Sequence, residues 1–155
     1  MTMKNPYGFT LIETLIYSFL LSFIIVGALV GIYQIISSAD KLTTKAFIEQ
    51  EGNFLLRKIN WAITGATNLS VDLDGNLNLE KPDIGFLQFK WDPVYKKIQL
   101  NRNGEWNDLN SDYVKVSDTN FSYDDSTYKI SASFTLSDYS ENINKNFEIV
   151  KYLRK

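Results

Sequence analysis

From residue 14 to residue 39 the chain carries no charge, and its centre, Leu15 to Val30, is almost wholly apolar. Prolines stand only at Pro6, Pro82 and Pro93, so nothing breaks a helix between Tyr7 and Lys81. About 20 apolar residues suffice for a helix to cross a bilayer, so this run predicts one membrane-spanning helix with some tilt. Lys4 and the amino terminus precede it, which places the N-terminus in the cytoplasm and exports the C-terminal part. After Asp40 the pattern turns amphipathic. Ile48, Leu55, Ile59, Ala62 and Ile63 recur on one helical face with Gly52 in the same row. Phe47, Phe54 and Trp61 make an adjoining stripe at seven-residue steps, expected to pack in the core. Gly65 suits a helix stop. A continuous helix from about Thr10 to Thr64 would be ~80 Å long at ~1.5 Å per residue, so its C-terminal half belongs to an exported head. Ser37-Ser38 offers a place for a kink.

From residue 66 onward the period becomes two. Leu69, Val71 and Leu73 alternate, Asp74-Gly75-Asn76 turns the chain, and Leu77 and Leu79 alternate back, a hairpin signal. Leu87, Phe89 and Trp91 share a face before a turn at Asp92-Pro93. Ile98 and Leu100 come next, with a turn at Asn103-Gly104 and Trp106 beyond. Val114 and Val116 predict a short strand and Phe121 and Tyr123 another. Ile130, Ala132, Phe134 and Leu136 alternate after Tyr128, and Phe147, Ile149, Lys151 and Leu153 mark a final strand. The stretch Ser137 to Asn146 is polar and reads as a mobile connection. The fold class is α+β: a long N-terminal helix, half transmembrane and half amphipathic, on an antiparallel sheet head.

Charge and composition narrow the chemistry. Sixteen Lys and Arg against eighteen Asp and Glu leave a net charge of -2, with no broad basic surface for nucleic acid. Lys96-Lys97 and Arg102 are too few for a DNA-binding stripe. There is no Cys and no His, which removes disulfides, thiolate and imidazole metal ligands and the commonest general base. Carboxylates are plentiful, yet no pair is marked by spacing as acid and base, so no catalytic residue, metal or cofactor is expected. Asp72-x-Asp74-Gly75-Asn76-x-Asn78-x-Glu80 offers oxygen ligands, but its glycine is fourth where a calcium loop wants it sixth. A solvated turn is the better reading. Trp91, Trp106 and Tyr95 are read as sheet packing rather than a ligand surface. Asn68-Leu69-Ser70 and Asn120-Phe121-Ser122 match glycosylation sequons, whose use depends on the host.

One residue resists a bland reading. Glu13 is the only charge between Phe9 and Asp40. A carboxylate within a bilayer costs ~2.5–3.5 kcal/mol on insertion scales, which calls for a partner or a role; near the interface it also favours the first helical turn. Its context is Gly8-Phe9-Thr10-Leu11-Ile12-Glu13. This resembles the processing signature of type IV prepilins and the pseudopilins of type II secretion: Gly before the cut, Phe after it, Glu five residues in, and an uncharged helix behind. The resemblance implies a leader over residues 1–8, removed by a prepilin peptidase between Gly8 and Phe9, and N-methylation of Phe9. It divides the rest into a filament-core helix (9–39), an amphipathic helix (40–65) and a sheet head (66–155). It implies that Glu13 sets register by meeting the Phe9 amine of a neighbouring subunit. Family leaders often carry a basic residue beside the glycine, whereas here Pro6 and Tyr7 stand there.

Gly27 and Gly31 stand four apart, a step that lets helices pack closely, although glycine is also frequent in membrane helices. Phe54-Leu55-Leu56-Arg57-Lys58-Ile59, a strand pair over Val114 to Tyr123 and the basic end Tyr152-Leu153-Arg154-Lys155 are similar to minor pilins of the J/W-like type. The expected protein is therefore a structural, non-enzymatic subunit of an inner-membrane-derived filament, periplasmic or extracellular once assembled. Its partners would be other pilin or pseudopilin subunits, the prepilin peptidase, an inner-membrane assembly platform and membrane lipid. Two other readings stand beside it: an exported binding module on an uncleaved anchor, and a domain released by a signal cut after Ala39.

Overall fold

A computed structural model describes Gly8 and residues 10–153. Most of the leader, Phe9, Arg154 and Lys155 lie outside those residues. Helix α1 (Leu11–Ile63) is followed by eight strands: β1 (Asn68–Val71), β2 (Leu77–Lys81), β3 (Gly85–Asp92), β4 (Lys97–Arg102), β5 (Glu105–Asp108), β6 (Val114–Asp124), β7 (Lys129–Asp138) and β8 (Asn144–Tyr152). The architecture is α+β, one long N-terminal helix and antiparallel strands. The chain divides into two units, one up to Leu42 and one from Thr43 onward.

The first unit is helical from Leu11, through Ser37-Ser38, and no described residue in it is buried. It is long and apolar enough to cross a membrane. Within it the Ser22 hydroxyl donates to the Ser18 carbonyl at 2.8 Å, and the Thr14 hydroxyl to the Thr10 carbonyl.

In the second unit α1 buries the row that the sequence marked: Ile48, Gly52, Leu55, Ile59, Ala62 and Ile63. Burial at a 3.6-residue period against strands is what fixes this part as helix. It ends where expected, with Gly65 at φ +76°, a conformation glycine adopts without strain. The aromatic stripe differs from expectation. Phe47 packs against the core, but Phe54 and Trp61 lie at the surface, 37% and 38% exposed. They sit one step round the helix from the buried row, and the sheets cover only that row. Lys81 donates to the Trp61 carbonyl at 2.8 Å and lies over its ring.

The head holds two sheets rather than one. Strands β1 to β5 form a meander in sequence order, and β6-β7-β8 form a second antiparallel sheet. Leu77, Leu79, Leu87, Phe89, Ile98 and Leu100 from the first join Val116, Phe121, Ile130, Phe134, Leu136 and Phe147 from the second, with the helix row, in one core. The split arises after β5. Asn110, buried, accepts from the Ile98 N–H at 3.0 Å and donates to the Val114 carbonyl at 2.8 Å, so a side chain replaces the next rung of the ladder. The Val116 N–H donates to the Lys96 carbonyl, and the Trp91 indole to the Val116 carbonyl, closing the seam. Asn110→Ala is expected to cost about 1–3 kcal/mol, because it strands a buried donor and acceptor together. A urea titration reads this as a lower midpoint at unchanged slope.

Three further expectations change. Val114 to Tyr123 is one strand, not a pair. Between Ser117 and Asn120 the register shifts, three steps on β6 opposing two on β7 (Thr135 to Ser133). That extra residue, with Asp118 at φ +50°, is a bulge that moves burial from the even positions 114 and 116 to the odd position 121. The polar stretch from Ser137 to Asn146 is half strand. Only residues 139–143 lie outside β7 and β8, and Asp138 ties them down by accepting from the Ile143 N–H and the Ser140 hydroxyl. Leu73 falls in the β1–β2 turn rather than in a strand, fully exposed.

Candidate functional site: the start of the helix

Gly8 and Thr10 lie outside the helix, and α1 begins at Leu11. Nothing lies within 4 Å of the position a Gly8 Cβ would take. The Gly8–Phe9 bond, where the resemblance puts the cut, stands in the chain just ahead of Thr10 and the first helical residue, Leu11.

Thr10 and Glu13 form a reciprocal cap. The Glu13 N–H donates to Thr10 Oγ1 at 3.3 Å, and the Thr10 N–H reaches back to Glu13 Oε2 at 3.5 Å. The Thr10 hydroxyl also lies 3.5 Å from Oε2, and the Thr14 N–H takes the Thr10 carbonyl at 3.2 Å. This is a capping box, Thr-x-x-Glu, which satisfies orphan donors of the first turn and sets a negative charge at the positive end of the helix dipole. Its signal stands in the sequence as Thr10-Leu11-Ile12-Glu13; the helix-dipole argument places Glu13 favourably in the first turn but does not name Thr10 as its partner. The box contains nothing from residues 1–9, so it outlasts removal of a leader. It uses Oε2 and leaves Glu13 a second oxygen, Oε1, able to accept from an ammonium.

Gly27 and Gly31 lie one turn apart on α1, and neither has a group within 4 Å of its would-be Cβ. Phe9 lies outside the described residues.

The head carries no second constellation of comparable chemistry among its described residues. Asp72 accepts from the Asn76 N–H at 2.8 Å and the Asn76 amide at 2.9 Å, so its oxygens serve the β1–β2 turn. Among the described residues no three Asp or Glu side chains converge as a metal site. The asparagines of both sequons are exposed, Asn68 in β1 and Asn120 at the bulge in β6. Tyr95 and Trp106, expected to pack, are exposed, while Trp91 is half-buried with its N–H bonded at the seam.

Surface carboxylates brace the turns. Hydrogen bonds from Lys97 and then Gln99 hold Asp108 below its ordinary pKa, and Lys97 is raised by Asp108 and then Asp112. Lys96 and Lys115 lower Glu141. The Ser140 hydroxyl and the Ile143 N–H lower Asp138. The Ser126 and Thr127 hydroxyls bring Asp124 to about 2. A carboxyl whose folded pKa is depressed contributes stability that is whole above its unfolded value and fades as pH falls through the folded one. The urea midpoint of the head is therefore expected to be flat above pH 5 in respect of these groups. It should decline between about pH 4.5 and pH 2, modestly, because Asp108, Asp124 and Glu141 are exposed and Asp138 is partly so.

No family model matches this chain, and no curated protein or solved structure matches it either.

Proposed function

We propose that this chain is a structural subunit, minor rather than major, of a type IV pilus-like or type II secretion filament. In this reading a prepilin peptidase cuts between Gly8 and Phe9, and the subunit assembles through its N-terminal helix. The observation that carries it is the run Gly8-Phe9-Thr10-Leu11-Ile12-Glu13, which leads into α1 at Leu11 and is followed by the uncharged residues 14–39. An apolar helix is stored in lipid and then in a filament core, out of water in both, so burial at ~25 cal/mol per Å2 attracts without choosing a register. A buried pair between Glu13 and a neighbour's Phe9 ammonium chooses one, with desolvation offsetting much of its gain. Gly27 and Gly31 give a flat strip for close approach of helices. The head then stays on the exported side of the inner membrane until the subunit joins the filament.

The test is co-expression of the full chain with and without a prepilin peptidase, followed by the intact mass. Loss of residues 1–8 that depends on the peptidase is the expected result. An unchanged mass overturns the reading, and a chain starting at Asp40 assigns the apolar run to a secretory signal. The second reading, an exported binding module on an uncleaved anchor, draws on the Thr10–Glu13 box, which gives Glu13 a role that needs no neighbour.

A further inference from the structure

The head has two ends, and their turns differ in chemistry. At one end lie the β1–β2 turn, the β3–β4 turn, the β5–β6 connection and the β7–β8 loop. The antiparallel registers align the first three (Val71 with Leu77, Asp92 with Lys97, Gln99 with Asp108), and the second sheet adds the last (Val114 with Asp138, Ser137 with Asn144). Ion pairs clasp the last three of these together. Lys96 and Lys115 both meet Glu141, at 3.0 and 3.3 Å, and Lys97 meets Asp112 at 2.7 Å.

The tips of these four turns carry Leu73, Val94, Tyr95, Tyr113 and Tyr139, exposed by 71% to 107%. No other large apolar side chain among the described residues of the head exceeds the 65% of Tyr152. The turns of the opposite end present Asp83, Asn103-Gly104 and Asp125-Ser126 instead. Five strongly exposed apolar tips on four separate turns at one end, against only the half-buried Ile84 and Tyr128 on the turns of the other, is a distribution that solubility alone would select against.

The apolar end is also the one at which α1 enters the head. The Tyr113 ring packs edge-on against Phe47 at 6.2 Å, and Lys145, near the start of β8, pairs with Glu49. The far end of β8 meets the far end of the helix, where Lys151 donates to Asn60. Asp40, the first charge after the apolar run, is seven residues before Phe47. Seven residues span ~10 Å as helix and no more than ~25 Å fully extended. The polar layer on each side of a bilayer is itself roughly 5–8 Å thick. Tyrosine favours that layer, where the ring is dehydrated and the phenol stays wet, and lysine stems extend through it. Lys115 already lies over the Tyr139 ring.

We propose that this end of the head docks on the exported face of the bilayer, with Leu73, Val94, Tyr95, Tyr113 and Tyr139 at headgroup level. This rests on the reading of residues 14–39 as a membrane span. The occupant is the lipid surface, because the chain itself tethers this end within a few residues of it.

Since the chain has no cysteine, single probes can be placed without disturbing the tips. Full-length Asn142→Cys, Ser126→Cys and Ile24→Cys, each carrying an environment-sensitive fluorophore, would be reconstituted in phosphatidylcholine–phosphatidylglycerol vesicles containing nitroxide lipids. The Asn142 probe is expected to be quenched by headgroup nitroxide several-fold more than the Ser126 probe, and Tyr95→Ser with Tyr139→Ser should abolish the difference. Equal quenching of the two, while the Ile24 probe responds to a deep acyl nitroxide, overturns the docking and leaves the span standing. An Ile24 probe that does not respond overturns the span and the docking with it. Shielding of the Asn142 probe that vanishes as protein is diluted in the vesicles assigns the tips to a neighbouring protein chain, which also overturns the proposal.

Discussion

Gly52→Ala is expected to lower the stability of the head by about 1–3 kcal/mol, although alanine is the better helix former by roughly 1 kcal/mol. A Cβ at position 52 would overlap the ring of Phe147. That ring cannot step aside, because it stacks on Phe134 with centroids 5.6 Å apart, and Phe134 is itself buried. Glycine in the middle of a helix is otherwise a cost in backbone entropy, so its place here reflects the close approach of β8 to α1. For a domain near 100 residues each kcal/mol moves Tm by about 4 °C or more, well within calorimetric resolution. Adding Phe147→Leu to Gly52→Ala should recover part of the loss, a coupling of about 0.5–3 kcal/mol between residues in contact. A Gly52→Ala protein at least as stable as the wild type would mean that helix and strand are not in this contact.

Glu13→Gln is the sharper of the functional tests because it separates the two roles of one side chain. Glutamine keeps the capping box with Thr10, so α1 should start at the same residue and the protein should reach the membrane in normal amount. It removes the negative charge. If the Phe9 ammonium of a neighbour is buried against Glu13, leaving it uncompensated costs ~3–5 kcal/mol, and incorporation into filaments should fall by about two orders of magnitude or more. Thr10→Ala makes the opposite separation, losing the box at about 0.5–2 kcal/mol of helix-end stability while keeping the charge. Quantitative immunoblotting of sheared filaments against the membrane fraction reads both variants. Wild-type incorporation of Glu13→Gln would leave the carboxylate with its cap and nothing more, as on an uncleaved anchor.

The sequence is legible wherever a single period rules. The helix row Ile48, Gly52, Leu55, Ile59, Ala62 and Ile63 and the strand alternation in β3, β4 and β7 are readable because one face meets the core throughout. Phe54 and Trp61 have the same periodicity and another fate, since a repeat of seven says that residues share a face and not which face is covered. The division into two sheets turns on Asn110, a polar residue whose role is visible only once Ile98 and Val114 flank it. The β6 bulge does leave a trace, the shift from even to odd apolar positions between Val116 and Phe121, but in sequence that shift looks the same as a break between two strands. At the helix start the motif is legible in full, whereas its cap is separated from its charge only by the hydrogen bonds of Thr10. The gathering of apolar turn tips at one end cannot be read from sequence at all, for it depends on strand order and register.

The central claim is that this helix is freed at its front between Gly8 and Phe9. The most direct measurement is tandem mass spectrometry of the N-terminal peptide of the protein isolated from its native membrane or filament. A peptide that starts at Phe9 with a methylated amine is the predicted result. One that retains Met1 to Gly8, or that starts at Asp40, contradicts the account.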